Sequence, residues 1–186
     1  DSNGEVLWIY NRFCELTGAL PKSQWIKSIE KGAKWIQRKR ESGDIDELHA
    51  GLMPSGFSAE HLGNIDNYYW DDFWSIAGLQ AAQKLVDPEK NGDEFQSAAD
   101  DMMEAVMRSL ERSRHIRDYP AIPASPYRRM DAGAVGSIVA GYPLNLFVPG
   151  NELIIETVEY LINECFVDGA FFQDMVHSGL NAYLTL

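Results

Sequence analysis

Two adjacent carboxylates, Asp71 and Asp72, stand inside a run of aromatic side chains formed by Tyr68, Tyr69, Trp70, Phe73 and Trp74. Acids beside large flat rings suit sugar chemistry. The rings stack on a pyranose, and a carboxyl gives or takes a proton at a glycosidic oxygen. The same two acids also complement the positive end of a helix, because Asp and Glu favour a first helical turn. Other polar residues that could serve the same site are His61, Tyr127, Arg129, Asp131 and His177, with Arg128 and Asp174 close by in sequence. Each has a plainer role available: a histidine caps a loop or satisfies a core contact, and the arginines pair with the excess of acids.

A second set of acids, Asp100, Asp101 and Glu104, has the DDxxE spacing of the magnesium-binding signature in terpene synthases. They lie on the charged side of an amphipathic stretch, where a solvated helix face accounts for them. His49, His61, His115 and His177 show no close metal-ligand spacing, and neither do Cys14 and Cys165. No metal and no cofactor is expected, and both cysteines, set in apolar stretches, read as buried free thiols.

The elements that must position these residues read as helices. Gly4 to Thr17 is apolar around most of its circumference, while Gln24 to Glu41 carries one stripe of Trp25, Ile29, Ala33 and Ile36 opposite a charged face. Ser42 to Tyr69 is a long, weakly periodic loop, and loops of that length are usually functional or disordered. Trp70 to Val86 is again apolar nearly all round. Asp93 to Arg117 is amphipathic, the proline-bearing segment Asp118 to Arg129 is a loop, and Asp131 to Phe147 is a small, apolar, glycine-dotted helix. Asn151 caps a further amphipathic helix, and Phe171 to His177 leads into a last one. Helices with no wet face alternate with helices having one, through about seven in all. That alternation fits an inner and an outer ring of helices joined as hairpins, an all-α fold with the aromatic loops at one end.

Composition narrows the partners. The 186 residues suffice for one domain with a sizeable core, and residues 1–186 are read as one domain. A net charge of −12 argues against a nucleic-acid or anionic-membrane surface and is compatible with a neutral glycan. No apolar run approaches the roughly 20 residues of a membrane span. The sequence begins at Asp1 and stops inside a helical pattern, so it is read as part of a longer protein.

Three segments carry a family resemblance. Tyr69-Trp70-Asp71-Asp72 resembles the aromatic–Trp–acid–acid motif at an inner-helix start in glucoamylase-type enzymes. Asp131-Ala132-Gly133-Ala134-Val135-Gly136, with Tyr142-Pro143-Leu144, is similar to later segments of such chains. His177-Ser178-Gly179-Leu180-Asn181-Ala182-Tyr183-Leu184-Thr185 is similar to a further one. Together they resemble the six-hairpin glycosidases, which include glucoamylases, trehalases and debranching-type glucosidases. The resemblance implies about half of an (α/α)6 toroid from an inverting glycoside hydrolase acting on α-linked glucosides. It places the proton donor at Asp71, where glucoamylases carry Glu, with Asp72 beside it. It places the base, roughly 6.5–9.5 Å from the acid in an inverting enzyme, in a part of the toroid beyond this chain.

Two further expectations follow. A non-catalytic carbohydrate-binding or interaction module on the same toroid would keep the aromatics and lack the proton donor. Half a toroid would also leave apolar faces bare on Gly4–Thr17, Trp70–Val86 and Asp131–Phe147, and a homodimer would cover them.

Overall fold

The computed structural model describes residues 1–57, 65–86, 93–117, 121–173 and 175–176, which are mostly helical, and the fold is all-α with a minor sheet. Helix α1 is Ser2–Thr17, α2 Ser23–Lys39, α3 Tyr69–Leu85, α4 Asp93–Arg117 and α5 Glu152–Glu164, with a 3-10 helix over Ala132–Ala140. The sheet is an antiparallel meander of β1 (Phe166–Val167), β2 (Ala170–Gln173) and β3 (Met175–Val176), in the register Phe166↔Phe171 and Phe172↔Val176. No described helix is long and apolar enough to cross a membrane. The chain divides into two compact units: Asp1–Pro54 with Asp71–Ser109, and Ser55–Trp70 with Leu110–Leu186.

In the first unit, α1 begins on an Asp1 side chain that accepts the Ser2 N–H and ends at Gly18, whose φ of +69° suits a glycine. It buries Gly4, Leu7, Asn11 and Cys14, one stripe at helical spacing. Helix α2 buries Ile29, Ala33 and Ile36 as its pattern predicts, while Trp25 of the same stripe remains partly exposed, as does Trp35. Helix α3 is enclosed: Phe73, Ile76, Leu79 and Ala82 are wholly buried. It meets α1 backbone to backbone. A Cβ on Gly78 would stand 2.5 Å from Gly4 Cα, and one on Gly4 would stand 2.1 Å from the Trp74 carbonyl oxygen. Trp8 and Trp74 pack edge to face at 5.5 Å beside this crossing.

The segment after α2 is pinned by arginines. Arg40 Nε donates to the Gly51 carbonyl at 2.8 Å, and Arg108 Nη2 donates to the Ala50 carbonyl at 3.0 Å. Backbone bonds from Glu41 to Leu52 and from Gly51 to Glu41 close the loop on itself. Such accounting is what a loop against a core requires.

The second unit centres on the 3-10 helix, buried from Gly133 to Ala140. Its Ala134, Val135 and Ile138 cluster with Leu161 and Cys165 and with Phe171 of β2. The proline-bearing loop is held by hydroxyls: Ser137 Oγ donates to the Pro123 carbonyl at 2.8 Å, and the Ile122 N–H donates to Thr157 Oγ1 at 2.9 Å.

Two segments depart from the sequence expectation. Asp131 to Phe147 forms no α-helix; nine residues adopt the tighter 3-10 form and the chain then turns. Gly133, Gly136 and Gly141, with β-branched Val135, Ile138 and Val139, give it a weak preference for the α form. Phe166–Val167, Ala170–Gln173 and Met175–Val176 are strand, which the sequence did not suggest, and the last helix expected beyond them lies outside the described residues. Asp168 and Gly169 both have positive φ (51° and 78°), the geometry of the tight hairpin turn that Asp-Gly favours. Of the three segments expected to leave an apolar face bare, Trp70–Val86 has its apolar residues buried from Phe73 onward, Asp131–Phe147 is buried from Gly133 to Ala140 but exposes Tyr142, and Gly4–Thr17 exposes Val6, Ile9, Phe13 and Leu16.

Candidate functional site

The two acids at the start of α3 have opposite environments. Asp72 is wholly buried, and its Oδ1 accepts the Met53 N–H at 2.7 Å. Its Oδ2 is also buried and has no hydrogen-bond partner among the described residues. Burial pushes this carboxyl well above the usual carboxylate range, and the charge of Asp71 adds to the rise. The Met53 N–H, the amino terminus and Arg40 work against it. Asp72 is therefore an anchor for the loop that ends at Met53. Asp71 keeps an 18% exposed side chain, with Oδ1 at 3.5 Å from the α-amino group of Asp1. Of the pair, only Asp71 reaches solvent.

Arg40 is a member of this neighbourhood that sequence reasoning missed. Besides the Gly51 carbonyl it reaches the Asp101 carbonyl through Nη2 at 3.2 Å. Burial lowers its guanidinium, and the charges of Asp101 and Asp72 offset part of that. Nothing local marks it, since its partners lie 11 and 61 residues away.

The remaining described candidates belong to the second unit. Tyr68 and Tyr69 are buried, and the Tyr69 N–H donates to the Ala124 carbonyl at 3.0 Å. Burial raises the Tyr68 phenol, while the guanidinium of Arg128 beside it pulls the other way. Arg128 Nη2 donates to Asp131 Oδ2 at 2.8 Å, the pairing that the excess of acids suggested. Burial works to lower Arg128, and Asp131 outweighs it, so the net direction is upward. Asp131 is doubly engaged, since its Oδ1 also caps the 3-10 helix by accepting the Gly133 N–H at 2.8 Å.

Asp66, which the sequence did not single out, completes the group. Its Oδ1 accepts the Asn67 N–H at 2.8 Å and its Oδ2 accepts the Ser125 hydroxyl at 2.5 Å. Ser125 Oγ in turn accepts the Arg128 N–H at 3.2 Å. The structure thus brings Asp66, Tyr68, Ser125, Arg128 and Asp131 into one polar network. Tyr127 and Arg129, expected at the site, have exposed side chains, and Trp70 is half-buried. His61, Asp174 and His177 lie outside the described residues.

Asp100, Asp101 and Glu104 are exposed on α4, and Asp100 accepts a hydrogen bond from Gln96 at 2.8 Å. Among the described residues no three His, Cys, Asp or Glu side chains are placed to share a metal ion. Both cysteines are buried free thiols, and burial pushes Cys165 up to about 11. No protein-family model, no curated protein and no solved structure matches this chain.

Proposed function

We propose that this chain is part of an inverting glycoside hydrolase acting on α-linked glucosides or oligosaccharides, with Asp71 as the general acid and the fold extending to a helical toroid. One observation carries the reading: the two carboxylates of the aromatic–Trp–acid–acid motif are divided, with Asp72 shut in and Asp71 open to solvent at the first turn of α3. A proton donor must reach the leaving oxygen, and only Asp71 has that access. Asp72 then acts indirectly, by fixing the α3 start against the Met53 loop. A base must come from elsewhere, since Asp72 and Asp131 are both committed to hydrogen bonds.

The same engagement favours a second reading, a carbohydrate-binding module that stacks sugars on Trp70 or Tyr127 without hydrolysing them. Activity on a panel of α-glucosides and short oligosaccharides separates the two. In the hydrolytically active protein, Asp71→Asn lowers turnover by roughly 10²–10⁴-fold while oligosaccharide affinity by calorimetry stays within a few-fold. Unchanged turnover in that variant removes Asp71 from the role. Oligosaccharide binding with no turnover in any form leaves the module reading. Neither binding nor turnover overturns both.

A further inference from the structure

We propose that the groove between α1 and α2 receives helix α5 of a second copy of this chain. It concerns the 186-residue chain by itself and uses no carbohydrate chemistry, although the longer toroid of the carbohydrate reading would cover the same α1 face. The groove, about 460 Å³, is lined by Val6, Ile9, Tyr10, Phe13, Trp25 and Ile29, among others, without a charged side chain. Beside it α1 exposes Val6, Ile9, Phe13 and Leu16, each between 54 and 77% exposed, with Leu20 beyond the helix. Taking roughly 150–250 Å² for a large side chain, the exposed part of this stripe with Leu20 and Trp25 comes to about 700 Å². Each partner in a standard interface gives about 800 Å².

Charge selects the occupant. Residues 22–40 hold seven of the chain's 16 basic residues and one of its 28 acids, a net +6 against −18 for the remainder. Lys27, Lys31, Lys34 and Arg38 recur at helical spacing along α2. An anionic bilayer would attract this stripe and repel the rest of the molecule, whereas the rest of a second copy is itself acidic. Helix α5 has the matching face. It buries Leu153, Thr157 and Leu161 and exposes Glu152, Ile155, Glu159 and Ile162, two apolar anchors one heptad apart between acids. That is the pattern of a helix laid in an apolar groove.

Sedimentation velocity of the chain at micromolar concentration is expected to show dimers or larger species that dissociate as salt rises. Phe13→Asp and Ile162→Asp should each give monomers with unchanged thermal melts, and Leu16→Asp stands in for Phe13 if that variant melts early. Reversing α2 (Lys27→Glu with Lys31→Glu) or α5 (Glu152→Lys with Glu159→Lys) should weaken assembly about tenfold, and mixing the two reversed proteins should restore it. A monomer throughout the range overturns the proposal. So does assembly that Phe13→Asp breaks and Ile162→Asp leaves intact, which would mean α1 packs on α1. Co-sedimentation of a monomeric chain with phosphatidylserine vesicles, lost in Phe13→Asp, would assign the groove to a bilayer instead.

Discussion

Asp72 has one carboxyl oxygen bonded to the Met53 N–H and the other enclosed without a partner among the described residues, a state that suits the neutral acid better than the anion. Its folded pKa is raised, so the folded chain holds a proton that the unfolded chain gives up more readily. The stability this lends is complete below the ordinary Asp value near 3.9 and is lost as pH rises through the raised value. Asp72→Asn keeps an acceptor for Met53 and carries no charge. Chemical denaturation at several pH values should show that it removes this component of the pH dependence and is at least as stable as the parent near neutrality. Asp72→Ala should instead cost about 1–3 kcal/mol at low pH, where the parent acid is neutral, because the Met53 N–H loses that acceptor. An Asn variant with the parent's pH profile would show that Asp72 does not titrate in this way. Such a role was not legible in the motif: Asp71 and Asp72 are the same residue type side by side, and what divides them is a backbone group 19 positions away.

Helices were legible to the extent that their patterns were strong. Helix α4 has the limits its periodicity predicts, Asp93–Arg117, and α3 starts one residue before the expected Trp70. The two failures have local causes. A glycine-dotted apolar run reads as helix by composition yet packs as 3-10 turns, and the Asp168-Gly169 hairpin joining Phe166–Val167 to Ala170–Gln173 was not read as strand. Glycine is also where the helices make their closest demand. The crossing of α1 and α3 leaves no room for a methyl group at Gly4 or Gly78, and the obstructing atoms are backbone. Gly78→Ala should therefore destabilise the chain by about 1–3 kcal/mol or more in denaturant titrations, through overpacking. Gly32→Ala is the matching control. Its added carbon would meet Leu7 Cδ1 at 3.7 Å, an ordinary contact, so in mid-α2 it should stabilise by about 0.4–1 kcal/mol. Equal and small effects at both positions would mean that the crossing gives way easily.

At the scale of the whole chain, a proton donor without a base gives only part of the acceleration a glycosidase needs. Three described carboxylates among the candidate residues and their network are committed: Asp66 to Ser125 and Asn67, Asp72 to Met53, and Asp131 to Gly133 and Arg128. None is free to activate a water without breaking a bond that holds its own loop or helix. The 186-residue chain assayed alone should accordingly release sugar from α-glucosides at the rate of the buffer blank. Turnover above the blank that vanishes in Asp71→Asn would place a base inside this chain. The test would then pass to Asp131, where Asp131→Asn leaves the Gly133 cap in place while losing the Arg128 ion pair and any proton-accepting role. Loss of turnover in Asp131→Asn but not in Arg128→Gln would separate the base from the ion pair and mean that the Asp131–Arg128 contact opens when sugar is bound.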